Sequence, residues 1–171
     1  MTLAVNTASP DAEFFPTQAW ATEGLLARVK FSNPVWEPAA GDGAMADVLA
    51  KRGYEVLASD LYDYGNPSVQ TGVDFLLVPP FKVGSVVTNP PFSKAEKFIE
   101  QALLCAEQRV AMLLRLAFLE GQRRRNLWES TPLEQVLVFS KRLSFGENGK
   151  IAFAWFVWAR DFKGEPKIVW I

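Results

Sequence analysis

Two adjacent prolines, Pro90 and Pro91, close an apolar run, and they restrict the fold more tightly than any other feature of the chain. Residues 86 to 92 read Val-Val-Thr-Asn-Pro-Pro-Phe. Asn89 and Pro90 each precede a proline, so both are steered into extended backbone that can neither continue a ladder nor join the following helix directly. The turn is rigid and leaves two acceptors side by side, the side-chain carbonyl of Asn89 and the backbone carbonyl of Pro90. That pair suits an exocyclic amino group such as N6 of adenine, whose two protons can be held while its lone pair turns toward an electrophile. Phe92 supplies a flat face for the ring. A proline-rich turn with an aromatic packed beneath it would contain the same residues, so the segment is weighed with the rest of the chain.

With 171 residues, 49% of them hydrophobic, the chain suits one globular domain with a proper core. We expect an N-terminal arm over residues 1–13 and a single domain over 14–171. No apolar run approaches the ~20 residues that a membrane-spanning helix needs, so no membrane contact is expected. Met1 to Pro16 lacks the basic head and apolar centre of a signal peptide. The lone Cys105 fits a reducing cytoplasm, and its expected role is core packing. A net charge of −1 requires any polyanion to meet a local basic patch. The absence of histidine removes the usual general base, the usual metal ligand and every Ser-His or Cys-His nucleophile, so hydrolysis is disfavoured and no metal is expected. Transfer from a sulfonium donor needs no such base, because its thioether already leaves well and the enzyme's work is positioning and electrostatics.

Along the chain, Thr17 reads as a helix cap ahead of Gln18 to Val29, and Val35-Trp36 as a short strand running into Glu37-Pro38-Ala39-Ala40-Gly41-Asp42-Gly43. A helix from Ala44 to Lys51 stops at Gly53, and a strand from Glu55 to Ser59 ends on Asp60. A weak strand is expected near Gly72 to Phe75, and another over Gly84 to Thr88. Ser93-Lys94-Ala95-Glu96 matches a capping box opening the next helix. Strands over Arg109 to Leu116, Gln135 to Phe139 and Ile151 to Ala159 follow, with a basic helix at Gln122 to Glu129. The last two, joined without a helix, should pair antiparallel. The predicted fold is α/β: a Rossmann-like, mostly parallel seven-stranded sheet closed by a C-terminal antiparallel hairpin, with its ligand beyond the carboxyl ends of the strands. Glu37 to Gly43, Asp60, Asp74-Phe75 and Asn89 to Phe92 all fall at that edge.

Gly41-Asp42-Gly43-Ala44-Met45-Ala46 fits the dinucleotide fingerprint, with Asp60 at the spacing that serves a ribose. Taken alone this suits NAD as well as S-adenosylmethionine. Asn89-Pro90-Pro91-Phe92, however, resembles motif IV of the S-adenosylmethionine-dependent amino-methyltransferases, above all the DNA N6-adenine enzymes, where Asn or Asp is followed by Pro, Pro and then Tyr or Phe. The resemblance runs from Phe15 to Ala159 and implies a class I methyltransferase using S-adenosylmethionine. It implies that Glu37 to Gly43, with Pro38 and Ala39, hold the methionine part and ribose, Glu37 taking the ammonium and Asp60 the ribose hydroxyls. It further implies that Asp74 and Phe75 receive the cofactor's adenine, that Phe15-Pro16-Thr17 is motif X at the methionine pocket, and that Asn89 borders the cofactor. Asp74 as a plain loop carboxylate and Thr17 as a plain cap are the structural alternatives.

On the substrate side the resemblance implies target adenine stacked on Phe92, with Phe145 of Lys141-Arg142-Leu143-Ser144-Phe145 closing the sandwich or else packing into the core. Arg123, Arg124 and Arg125, with Arg115, Lys141, Arg142 and Lys150, either track phosphates or form a solvated face. Family members that read a DNA sequence carry a target-recognition region, and no insertion here is long enough. The protein therefore acts on short or loosely defined sites, works with a separate specificity partner, or modifies RNA. The expected activity is N6-adenine methylation of nucleic acid, DNA before RNA. Protein glutamine methylation and a catalytically silent S-adenosylmethionine-binding module are the alternatives, and the oligomeric state stays open.

Overall fold

In the computed structural model the described residues are 13–145 and 151–171. The expected arm up to residue 12, Lys150 and part of the connection before the hairpin's second strand lie outside them. The sheet contains β1 (Val35–Glu37), β2 (Val56–Ala58), β3 (Val83–Thr88), β4 (Ala106–Arg115), β5 (Leu133–Val138), β6 (Phe153–Ala159) and β7 (Lys167–Trp170). The helices are α1 (Ala19–Arg28), α2 (Ala44–Lys51), α3 (Ala95–Cys105) and α4 (Arg125–Ser130). Strand order is β2-β1-β3-β4-β6-β5-β7. Every pair is parallel except those made by β6, which runs antiparallel to both β4 and β5. The expected hairpin is therefore present.

Period-two alternation of apolar residues builds two half-cores, one on each face of the sheet. Val35, Val87, Ala111, Leu113, Trp155 and Val157 face α1 and α2, whereas Trp36, Val86, Val110, Met112, Phe156 and Trp158 face α3. Trp155 fastens α1 to the sheet by donating its indole N–H to the Ala21 carbonyl at 2.9 Å. Cys105 is buried in the α3 face, as expected. Gly84 is required by a close approach, because a Cβ there would lie 2.3 Å from the Ser32 carbonyl oxygen. No helix among the described residues is long and apolar enough to cross a membrane.

Four expectations are corrected. No strand forms at Gly72 to Phe75: Gly72 adopts φ 75°, and after an isolated bridge between Ser59 and Gln70 the segment loops back so that Phe75 enters the core. The seventh strand is instead β7, added beside β5. Thr17 does not cap α1, whose N-cap is Gln18 without a side-chain bond. The capping box does not form either, because a 3₁₀ turn at Phe92–Lys94 precedes α3, Ser93 N–H donates to Glu13, and Glu96 is drawn to Arg124. The basic helix is likewise split into a 3₁₀ turn, Gln122–Arg124, and α4.

Candidate active site

Strand order reverses between β1 and β3, and at such a switch point the loops leaving two adjacent parallel strands diverge and open a crevice. Glu37 ends β1, Asp60 follows β2, and Asn89 follows β3. All three line one cleft, together with Thr17, Gly41 and Asp74.

The loop after β1 is held in a conformation that only glycine takes easily. Gly41 and Gly43 have φ of 56° and 85°. A Cβ on Gly41 would lie 2.4 Å from the Phe14 ring, and one on Gly43 would meet the Asn66 amide at the same distance. Gly41 N–H donates to Asp60 Oδ2 at 2.8 Å, and Tyr62 N–H to Asp60 Oδ1 at 2.8 Å. Asp60 thus braces the glycine loop. Burial raises its carboxyl against the lowering effect of these bonds, and a carboxylate keeps further lone pairs for a hydroxyl donor.

Glu37 is 2% exposed. Its carboxyl is pushed well above the usual range, chiefly by burial, opposed by a bond from Ala46 N–H and reinforced by Asp60, Asp42 and Asp47. Its Oε2 has no partner, an open demand for a donor. Beside it, Asn89 Nδ2 donates to the Phe15 carbonyl at 3.0 Å and to Thr17 Oγ1 at 3.2 Å, while Asn89 Oδ1 is buried without a partner. The oxygen and nitrogen are told apart by the network, since a carbonyl such as that of Phe15 can only accept. Thr17, 6% exposed, therefore serves Asn89 and not the helix.

Asp74 accepts from Leu76 N–H in a local turn at 3.0 Å and borders the cleft. Phe75 contributes only an edge of the cleft, being 2% exposed and packed against Trp36 and Phe98. Pro38 and Ala39 line the cleft wall, as do Phe15 and Pro91; Pro90 is buried.

Next to this cleft, Phe92 collects an aromatic cluster. The Phe15 ring stacks on it at 5.8 Å and 19°, Phe153 lies 5.5 Å away, and the Arg115 guanidinium sits 5.0 Å from its centroid. Phe145 joins through Phe15 at 5.5 Å and Phe153 at 4.9 Å. Phe92 and Phe145 are thus brought into one aromatic group. The three arginines separate. Arg124 folds onto the Phe118 ring at 4.4 Å and bonds Glu96 and the Glu120 carbonyl. Arg123 is 86% exposed and Arg125 76%, and among the described residues each pairs with one carboxylate, Glu96 and Glu129 respectively. Arg142 is exposed. Residues that sequence reasoning missed are Glu13, which accepts from Phe92 N–H at 2.7 Å, Phe14, which stacks on Tyr64 at 4.2 Å, and Asn66, which donates to the Asp42 carbonyl at 2.7 Å. They sit in polar or irregular segments without periodicity, and nothing local marks them.

No protein-family model matches the chain, and neither does any curated protein. Solved structures match in fold. A Pyrococcus horikoshii protein assigned as an RNA methyltransferase superposes with TM-score 0.64 at 14% identity, over 90% of this chain and 91% of its own. A protein from Vibrio vulnificus assigned as a modification subunit of a type I restriction enzyme gives 0.66 at 12% identity, over 95% of this chain and 48% of its own. A Listeria monocytogenes protein assigned as a class I S-adenosylmethionine-dependent methyltransferase gives 0.57 at 16% identity, over 89% of this chain and 61% of its own. The crevice at the switch point, with its glycine loop, carries an orphaned carboxylate oxygen and an orphaned amide oxygen, which are acceptors suited to an ammonium and to an amino group. The fold is that of the class I S-adenosylmethionine-dependent methyltransferases.

Proposed function

We propose that the protein methylates the exocyclic N6 amino group of adenine in nucleic acid, DNA before RNA, with S-adenosylmethionine as donor. The observation that carries this reading is the Asn89 carboxamide at the cleft, whose nitrogen is consumed by the chain while its oxygen is buried without a partner. An oxygen so placed accepts a proton of an incoming amine and cannot offer one. When bound, the cofactor supplies a methyl group on a positively charged sulfur. Glu37 takes its ammonium, Asp60 its ribose hydroxyls, and the glycine loop allows close backbone approach. Asp74 and the edge of Phe75 border its adenine. Asn89 Oδ1 and the Pro90 carbonyl would hold the two N6 protons and so turn the nitrogen lone pair out of conjugation, toward the side on which the donor's methyl group would be presented. The proton lost from that nitrogen would pass to solvent.

Phe92 holds the base by stacking. The Phe15 ring stacked on it illustrates that this face takes a flat ring. Phe145, which reaches the group through Phe15 and Phe153, is the second aromatic proposed to hold the base. Neighbours of the same fold assigned to RNA and to a restriction system favour a nucleic-acid substrate and allow a partner subunit for specificity. Labelled methyl transfer to duplex DNA, single-stranded DNA, RNA and protein extract, with nucleoside analysis, tests the reading. The expected product is N6-methyladenine, and label in protein glutamine instead would overturn it.

Asp60→Ala should weaken S-adenosylmethionine binding by about 1.5–3 kcal/mol, the worth of hydrogen bonds to a charged acceptor. Calorimetry on the folded variant reads this directly, and unchanged affinity removes Asp60 from the ribose site. Replacing exposed Arg123 and Arg125 with Gln should flatten the salt dependence of duplex DNA binding by up to about 1.8 units of slope, since each phosphate contact carries roughly 0.9. Arg124, folded onto Phe118, is left in place. An unchanged slope across a salt series would mark both residues as solvated surface.

A further inference from the structure

We propose that the segment ahead of α1 is an orientation lock for Asn89, with Thr17 as a positioning residue, and that the Phe15 carbonyl makes this position demand a carboxamide where a carboxylate would otherwise serve. The proposal deepens the reading above and rests on it for its catalytic consequence. A side-chain amide turns about its last torsion with little preference between its two faces. Turned the wrong way, Asn89 would meet an amino group donor to donor. The Phe15 carbonyl at 3.0 Å and Thr17 Oγ1 at 3.2 Å remove that choice by taking the amide nitrogen, which leaves Oδ1 buried, unpartnered and bordering the cleft.

The two partners discriminate differently between an amide and an acid. The Thr17 hydroxyl can rotate and donate to a carboxylate. The Phe15 carbonyl cannot, so a carboxylate at position 89 would set two acceptors against each other about 3.0 Å apart. Protonation resolves the clash, because a neutral acid donates its O–H to the Phe15 carbonyl and keeps its C=O for the cleft.

Thermal melting of the cofactor-free protein across about pH 5 to 8 tests this with Asn89→Asp. The introduced carboxyl is held above its usual ~3.9, so the folded state binds the proton more tightly than the unfolded state and stability falls as pH rises through the folded value. The melting deficit of the variant against the wild type should therefore be largest near pH 8 and shrink toward pH 5. Glu13, Glu37, Asp42, Asp60, Asp74 and Lys94 share the cleft and are common to both proteins, and the net negative charge of that group pushes the new carboxyl the same way. A deficit constant with pH overturns the lock.

Thr17 is tested through kinetics. Thr17→Val should lower kcat about tenfold with little change in KM for nucleic acid, and Thr17→Ser should restore it. In an Asn89→Ala background Thr17→Val should add less than about twofold, because the residue acts through Asn89. A persisting loss together with weaker cofactor binding by calorimetry would assign Thr17 to the cofactor and overturn its positioning role. Should Asn89→Asp not fold, nitrogen-15 spectra replace the melts: the side-chain amide signals that Asn89→Ala deletes should exchange slowly with water in wild type and about tenfold faster in Thr17→Val. Unslowed exchange in wild type overturns the lock. Melting and exchange need neither cofactor nor substrate, so they fail or succeed separately from the methylation reading.

Discussion

Asn89→Ala is expected to lose about 10²- to 10³-fold in kcat, the usual cost of removing one preorganised electrostatic contact at a reacting centre. In the proposed role the lost oxygen acts on the target amine and not on the donor, so S-adenosylmethionine affinity should stay within a few-fold of wild type. The variant also loses the amide nitrogen that holds Phe15 and Thr17. Its stability should therefore fall by about 1–2 kcal/mol, one or two net hydrogen bonds. Turnover, calorimetry and melting separate these three effects. A folded variant that keeps most of its turnover would remove Asn89 from the chemistry.

The residues legible in the sequence are those whose constraints are local. Proline acts on the residue before it, and this is enough to place Asn89 at the end of β3 and free its carbonyl. Gly41 and Gly43 announce themselves because a left-handed backbone excludes most other residues, and the spacing to Asp60 follows from one strand-helix-strand unit. Contacts distant in sequence were illegible for the same reason. Glu13 meets Phe92 across a separation of 79 residues, and no periodicity records it. The arginine run shows the limit of charge reading: Arg123, Arg124 and Arg125 are equivalent as letters, yet the Phe118 ring and the Glu120 carbonyl take only Arg124. β7 escaped because its Lys-Ile-Val-Trp is short and mostly exposed, and only the open edge of β5 makes it a strand. Gly72 to Phe75 misled in the opposite sense, since burial of Phe75 needs no strand there.

Glu37→Gln is expected to move stability and cofactor affinity in opposite directions. The carboxyl is buried with one oxygen unpaired, and burial holds it well above its ordinary value. A group raised in the folded state contributes stability that is complete below its unfolded value, near 4.3, and is lost as pH rises through the folded value. The cofactor-free wild type therefore carries a penalty at pH ~8 that a neutral amide avoids. The substitution should raise the melting temperature at that pH, and the gain should vanish toward pH ~4, where Glu37 is already protonated. Cofactor binding runs the other way. In the proposed pairing the cofactor's ammonium compensates the buried charge, so wild-type affinity should strengthen as pH rises and binding should release a proton, visible as a buffer-dependent calorimetric enthalpy. The variant should bind S-adenosylmethionine about 10- to 100-fold more weakly at pH ~8, the loss of a charge-assisted bond worth 1.5–3 kcal/mol, and should release no proton from this site. Equal affinity in the two proteins, with the same dependence on buffer, would show that the ammonium lies elsewhere and that Glu37 is a structural acid of the β1 loop.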